Sequence, residues 1–109
     1  MGMVINRFDV YLIRPDPAVG SEIQKTRPCL VVSPNELNRH IRTVIVAPMT
    51  TKGHPYPTRI PCRFQAKVGQ IALDQMGTVD RARLIKKLGK IDNETAGRVV
   101  TALQELFAP

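Results

Sequence analysis

Polar side chains that could act on a phosphate group collect in three short stretches of the sequence. Arg27 stands directly before an apolar run, at the end of a loop that also carries Glu22 and Lys25. If the strand after Arg27 and the strand that ends before Thr50 are neighbours, the loop before Arg27 and the loop that begins at Thr50 open onto the same face of the domain. The second and third stretches contain Thr50, Thr51, Lys52, His54, Tyr56, Asp74 and Gln75.

This set of groups suits cleavage of RNA without a metal ion. Such cleavage needs a base for the 2′-hydroxyl, an acid for the 5′-oxygen, and a cation or hydrogen-bond donors for the charged phosphorane. An arginine beside a carboxylate and a hydroxyl can fill these roles, and arginine binds phosphate through two nitrogen atoms. Structural roles are the alternatives: Arg27 paired with a carboxylate, Thr50 as a turn hydroxyl bonded to backbone, and Asp74 as a surface ion-pair partner. For His54 the alternative is a solvated loop histidine.

Composition narrows the class of protein. The 109 residues include 16 Lys and Arg against 9 Asp and Glu, a formal net charge of +7 that favours nucleic acid, an acidic protein or a membrane surface as partner. Hydrophobic residues make up 43% and no apolar run is long enough to span a bilayer, so we expect one globular domain over 1–109 and no membrane partner. The densest basic run is Arg81, Arg83, Lys86, Lys87 and Lys90. It is either a solvated surface or a phosphate-binding site.

Motifs for metals and cofactors are missing from the sequence. It holds no Cys-x-x-Cys, no His-Glu-x-x-His and no glycine-rich phosphate loop, so we expect neither a metal nor a cofactor. Cys29 and Cys62 lie among apolar neighbours, which predicts buried thiols rather than a disulfide. No signal peptide is visible, so the cytosol is the expected compartment.

Short strands must position the candidate groups. Runs of β-branched and aromatic residues predict strands over 8–13, 28–33, 43–49, 58–64 and 68–75. Pro61 limits the fourth of these to a sheet edge or a bulge. The loops of the candidate site are residues 14–26 and 50–57, both interrupted by proline and glycine.

The C-terminal part of the chain predicts a helix. Apolar residues recur at helical spacing over 92–107, and Asp92 is a good N-cap. Residues 34–42 are predicted to form a connecting turn, and 80–91 fits either a helical turn or a short strand. The expected class is α+β, with a mostly antiparallel sheet or small barrel followed by one helix.

The same residues, taken in order, resemble the MazF/PemK toxins. Each motif alone is weak, but the ordered set extends over nearly the whole chain without large gaps. The matching segments are 9–12, 15–22, 25–28, 30–33, 38–39, 44–51, 74–75, 78–84 and 92–95.

The resemblance implies a toxin of a bacterial toxin–antitoxin module with a small SH3-like antiparallel β-barrel and a C-terminal helix. Members are homodimeric endoribonucleases that need neither a ribosome nor a metal. They cut single-stranded RNA at short sequences by attack of the 2′-hydroxyl, which leaves a cyclic phosphate and a 5′-hydroxyl. A cognate antitoxin blocks their RNA groove.

Carried over residue by residue, the resemblance assigns Arg27 as the catalytic arginine and Thr50 as the catalytic threonine. Glu22 matches an acidic position implicated in activity, and Asp74 matches the base proposed for the PemK branch, so either is a candidate base. The expected RNA contacts are Ser21, Lys25, Thr51, Lys52, His54, Tyr56 and Gln75.

Three positions depart from the family pattern. Ser21 replaces a histidine and Ala72 replaces the catalytic arginine of the PemK branch, so the MazF pairing of arginine and threonine fits better. Gly77 replaces a common arginine, and we expect this change to affect RNA contacts or sequence choice rather than chemistry. Two other functions remain open: a gyrase-poisoning toxin of the same fold, and a catalytically inactive RNA-binding regulator.

Overall fold

A computed structural model describes residues 3–15 and 25–109 of the chain. Seven strands and two helices occur in these residues. They are β1 (Asp9–Ile13), β2 (Arg27–Val31), α1 (Asn35–His40), β3 (Thr43–Thr50), β4 (Arg59–Phe64), β5 (Lys67–Ala72), β6 (Gly77–Asp80), β7 (Leu84–Lys90) and α2 (Asn93–Phe107). Short 3-10 turns, Leu73–Gln75 and Arg81–Arg83, precede β6 and β7.

The strands form one antiparallel sheet in the order β4-β5-β3-β2-β1-β7, and β6 pairs with the part of β3 that β5 leaves uncovered. The predicted α+β class, with an antiparallel sheet and a C-terminal helix, is confirmed. β4 carries Pro61 and lies at the end of the strand order, as its proline predicted.

The two ends of this strand order approach each other, which curls the sheet into a half-barrel. Gln65, in the turn between β4 and β5, donates a hydrogen bond to the Leu88 carbonyl oxygen of β7 at 2.8 Å. Gly89 has a φ of 152°, and a Cβ there would lie 3.1 Å from Cζ of Phe64. The backbone conformation therefore favours glycine, and a Cβ would also press on the Phe64 ring.

Each face of the sheet carries its own apolar cluster. Leu30 of β2 joins the cluster that packs on α2, where Val99 is fully buried. Cys29 and Val31 point to the opposite face and join the second cluster. Cys62 belongs to the first cluster, so the two buried free thiols lie in different clusters, and the prediction of buried cysteines is confirmed.

The start of α2 follows the sequence prediction closely. The Asp92 side chain accepts the backbone N–H of Thr95 at 2.7 Å, which satisfies one of the free N–H groups of the first turn. Among the described residues, no helix has the length and apolar character needed to cross a membrane.

The predicted turn over 34–42 is wrong, because Asn35–His40 form α1. Asn38 is buried and exchanges hydrogen bonds with Ser33, one from the Ser33 hydroxyl at 2.5 Å and one to the Ser33 carbonyl at 2.9 Å. This buried exchange compensates for the poor helix propensity of the polar residues, which by themselves indicate a turn.

The predicted strand over 68–75 is too long, because β5 ends at Ala72 and Leu73–Gln75 form a 3-10 turn. β3 pairs Met49 with Ile71 of β5 and Val46 with Gly77 of β6, so the 3-10 turn between β5 and β6 takes no part in the pairing. The ambiguous stretch 80–91 contains both alternatives, a 3-10 turn followed by β7. The sequence pattern did not reveal β6, which has only four residues and begins with glycine.

Candidate active site

Arg27 and Thr50 lie at the same end of two neighbouring strands. β2 and β3 pair with Cys29 opposite Pro48, and Arg27 and Thr50 each lie two residues beyond this pair. Both residues also line the same cavity. The fold therefore places a guanidinium and a hydroxyl where one phosphate can contact both.

The Thr50 hydroxyl is oriented by its own turn. Its Oγ1 accepts the backbone N–H of Lys52 at 3.0 Å, the structural role that the sequence left open for it. Because a hydroxyl can accept and donate at once, its proton remains available for an acceptor in the cavity. Gly69 allows β5 to pass this strand end, since a Cβ there would collide with the Thr50 carbonyl oxygen.

The cavity that Arg27 and Thr50 line, which we name the mouth cavity, has a volume of about 490 Å³. This volume lies within the usual range for small-molecule sites, roughly 300–1,000 Å³. Thr51, Lys67 and Gln70 add further polar groups to its rim. Its apolar lining comprises Leu12, Pro28, Met49, Cys62, Phe64, Val68 and Leu88.

A second cavity, which we name the cationic cavity, shares Arg27 with the mouth cavity and has a volume of about 300 Å³. Four positive side chains line it: Arg14, Lys25, Arg27 and Arg83. None of its described lining residues is acidic, so its field favours an anion. Its remaining lining residues are Ile13, Pro15, Cys29, Val46, Pro48, Gln75, Gly77, Thr78 and Val79. Because Arg27 lines both cavities, a phosphodiester chain running between them passes its guanidinium.

The Arg83 guanidinium is held by the backbone of Arg14, which is itself hydrogen-bonded to the backbone of Arg83. The Arg14 N–H donates to the Arg83 carbonyl oxygen at 2.8 Å, and Arg83 Nε donates to the Arg14 carbonyl oxygen at 2.9 Å. Burial raises the pKa of the Cys29 thiol to about 11, so Cys29 stays protonated at neutral pH and supplies no thiolate nucleophile. The cationic cavity is therefore suited to binding charge rather than to covalent chemistry.

The loop after β3 is tied to β5 by a reciprocal amide contact. The His54 N–H donates to Gln70 Oε1 at 3.0 Å, and Gln70 Nε2 donates to the His54 carbonyl oxygen at 3.0 Å. The His54 ring stacks on the Tyr56 ring at 5.2 Å, and the Arg59 guanidinium lies 5.5 Å from the Tyr56 ring centre. His54 is thus half-buried and stacked rather than freely solvated.

Asp74 forms a bidentate ion pair with Arg59. Arg59 Nε lies 2.7 Å from Oδ1 and Arg59 Nη2 lies 3.1 Å from Oδ2, while the Thr58 hydroxyl donates to Oδ1 at 2.9 Å. The Arg59 hydrogen bonds lower the pKa of Asp74 to about 2. Asp74 lines neither cavity, although the adjacent Gln75 lines the cationic cavity. Asp74 thus forms the ion pair that the sequence left open as its structural role.

The other candidate residues fall into separate groups. Thr51 joins Arg27 and Thr50 at the mouth cavity, while Lys25 joins Gln75 at the cationic cavity. Lys52 and Tyr56 are exposed on the intervening loop, and Ser21 and Glu22 lie outside the described residues. In the part of the chain that the structure describes, no three His, Cys, Asp or Glu side chains are grouped so that they could hold a metal ion.

The sequence pattern did not reveal Arg14, Arg59 and Gln70, and it indicated Arg83 only as part of a basic run. Arg59 lies opposite Ala72 in the β4–β5 pairing, which brings it to a carboxylate 15 residues away. Gln70 reaches His54 across a similar separation of 16 residues. No local spacing signals contacts of this kind, because they depend on which strands become neighbours.

Solved structures with the same fold identify a class of small toxins. One of them, described as an endoribonuclease in complex with its cognate antitoxin from a mycobacterial species, is 29% identical, with a TM-score of 0.79. The alignment covers 96% of this chain and 97% of that one. The family model for the PemK-like, MazF-like toxins of type II toxin–antitoxin systems matches residues 6–107, and the chain belongs to this family.

Two well-described relatives support the same assignment. Endoribonuclease EndoA of Bacillus subtilis (strain 168) is 34% identical over 108 residues, which cover 94% of this chain and 93% of that protein. Endoribonuclease PemK of Escherichia coli is 32% identical over 109 residues, which cover 91% and 82% respectively. The resemblance found in the sequence is confirmed.

Proposed function

We propose that the protein is the toxin of a toxin–antitoxin module and acts as an endoribonuclease that cleaves single-stranded RNA at short sequences without a metal or a ribosome. The observation that carries the proposal is that Arg27 and Thr50, from neighbouring strands, line the same mouth cavity. Membership of the toxin family and the endoribonuclease relatives support the reaction class.

In the proposed reaction the general base takes the proton of the 2′-hydroxyl, the 2′-oxygen attacks the phosphorus, and the bond from phosphorus to the 5′-oxygen breaks. The Arg27 guanidinium binds the phosphate oxygens and stabilises the charge of the phosphorane. The departing 5′-oxygen takes a proton from Arg27, which regains one from water. The Thr50 hydroxyl, whose oxygen accepts the Lys52 N–H, donates a hydrogen bond to a phosphate oxygen. The products are a cyclic phosphate and a 5′-hydroxyl.

Of the two candidate bases, Glu22 is the one we propose. Asp74 is disfavoured because both of its oxygens accept hydrogen bonds from Arg59 and because its pKa of about 2 makes it a weak proton acceptor. Glu22 lies in the segment between Pro15 and Lys25, and both of these flanking residues line the cationic cavity beside Arg27.

The proposed partners follow from the family and from charge. The net charge of +7 attracts RNA and also an acidic antitoxin segment that would compete for the same groove. We propose a homodimer as the active form and the cytosol as its compartment. Lys25, Thr51, Lys52, His54, Tyr56 and Gln75, together with Ser21, are the proposed RNA contacts.

The test compares wild type with four variants on one long RNA in excess EDTA. Wild type should cut, and Arg27→Ala and Thr50→Val should each lose about 10²–10³-fold in rate, the usual cost of removing one transition-state donor. Thr101→Val and Arg98→Ala, both on exposed faces of α2, are the matched controls and should keep wild-type rates.

Intact RNA with the wild-type protein would contradict the proposal and favour a gyrase-directed toxin or an inactive RNA binder. Cutting that requires an added metal would contradict the proposed mechanism. Full activity of Arg27→Ala would remove the residue assignment.

A further inference from the structure

Gly77 is a glycine that the fold itself does not require. It opens β6 in extended backbone, without the positive φ that makes Gly89 necessary. If a Cβ is placed on Gly77, no described atom lies within 4 Å of it. At Gly69, by contrast, a Cβ would collide with the backbone of Thr50.

The missing side chain of Gly77 would point into the cationic cavity. Gly77 is the cross-strand partner of Val46, and directly paired residues place their side chains on the same face. Val46 lines the cationic cavity, and so does Val79, two residues after Gly77 on the same strand. The glycine at position 77, which is exposed where the cavity opens, therefore leaves space in the cavity.

The cavity suits one nucleobase with its flanking phosphates. Its volume of about 300 Å³ is at the lower end of the small-ligand range, which excludes a helix or a folded peptide. The half-buried Pro48 and Val79 offer an apolar surface for a ring, while the Gln75 amide and the Thr78 hydroxyl offer hydrogen bonds to its edge. Cations around the ring can hold the adjoining phosphates.

We infer that Gly77 is a specificity-determining residue, which keeps the cationic cavity large enough to admit a purine next to the scissile phosphate. This inference rests on the proposed RNA cleavage and adds the site at which one base of the target sequence is selected. Arg27 lines both cavities, so the base in the cationic cavity belongs to a nucleotide adjoining the phosphate held with Thr50. A side chain at position 77 narrows the cavity and excludes the larger ring first.

The experiment maps the 5′ ends of products from a long RNA cut by wild type, Gly77→Ala and Gly77→Val. The matched control is Gly97→Ala, since a Cβ placed on Gly97 of α2 would likewise meet no described atom within 4 Å, yet Gly97 lines neither cavity. Thermal unfolding establishes that each variant is folded. Both Gly77 variants should fold, because position 77 has room for a side chain and valine favours strands.

The expected result is a change in base preference at one position beside the cut. Sites with a purine there lose about tenfold or more in rate with Gly77→Val, sites with a pyrimidine keep their rate, and Gly77→Ala lies between. Gly97→Ala keeps the wild-type pattern. An unchanged pattern, or an equal loss at every site, overturns the inference while leaving RNA cleavage intact. A wild-type protein that leaves RNA uncut overturns the proposed function itself.

Discussion

Arg59 holds Asp74 through two hydrogen bonds, one from Nε and one from Nη2, and thereby fixes the 3-10 turn that carries Gln75. Arg59 is also the strand partner of Ala72, so the guanidinium that binds Asp74 comes from β4. The pair lies outside both cavities, whereas the adjacent Gln75 lines the cationic cavity.

The first prediction concerns stability in acid. The pKa of Asp74 falls from 3.8 to about 2 on folding, chiefly because of the Arg59 hydrogen bonds. A lowered folded pKa means that the stabilisation is complete above about pH 4 and is lost as the pH falls towards 2. We expect the free-energy difference of unfolding between wild type and Asp74→Asn to be constant near neutral pH and to shrink between pH 4 and 2.

Chemical denaturation at a series of pH values measures this difference. Other carboxylates with a lowered pKa, such as that of Asp92, contribute equally to both proteins and cancel. A difference between the two proteins that does not change down to pH 2 would contradict the ion pair.

The second prediction separates a positioning role from a catalytic one for Asp74. Asp74→Asn and Arg59→Met should each lower kcat/KM by roughly 10- to 100-fold, because a displaced turn misplaces Gln75. The double variant should cost no more than either single variant, since both remove one interaction. The acidic limb of the pH–rate profile should persist in Asp74→Asn and disappear in Glu22→Gln.

If Asp74 were the general base, its variant would lose the acidic limb, and Arg59→Met would add a separate loss. Glu22→Gln would then retain a normal pH profile. These two patterns of results do not overlap.

The third prediction concerns the salt dependence of binding. For single-stranded nucleic acid, each phosphate neutralised contributes about 0.7 to the slope of log affinity against log salt concentration. Lys25→Ala, at the cationic cavity, should therefore reduce the slope by about 0.7. Lys90→Ala, at the exposed end of β7 and lining neither cavity, is the matched control and should leave the slope unchanged.

A non-cleavable RNA with 2′-O-methyl groups allows this affinity to be measured at equilibrium. If Lys25→Ala and Lys90→Ala change the slope equally, the charge acts through the whole surface rather than through the cavity.

Local sequence patterns were sufficient to predict the strands and the helix whose apolar side chains are buried in the clusters. The apolar runs of β2 and β3 and the helical spacing after Asp92 are local, and their strands and helix lie close to the predicted positions. The four-residue β6, of which only the first two residues are exposed, has no such pattern, since its pairing with β3 depends on the 3-10 turn before it. α1 was not predicted because it is supported by the buried hydrogen bonds between Ser33 and Asn38.

The candidate site divides in the same way. The sequence predicts that Arg27 and Thr50 lie at strand ends. They come together because β2 and β3 are neighbours in the sheet. The partner of Asp74 cannot be seen there, because Arg59 comes from the far strand of a hairpin. The two cavities likewise arise only when the curled sheet brings distant strand ends together.

The proposed reaction is tested most directly on a short oligoribonucleotide that contains one mapped cut site, in excess EDTA. A second oligonucleotide is identical except for a single 2′-deoxy nucleotide immediately 5′ of the scissile phosphate. We predict that the first is cut to a 2′,3′-cyclic phosphate and a 5′-hydroxyl, whereas the second is bound but left intact. Cleavage of both at the same rate would contradict attack by the 2′-hydroxyl, and with it the proposed mechanism.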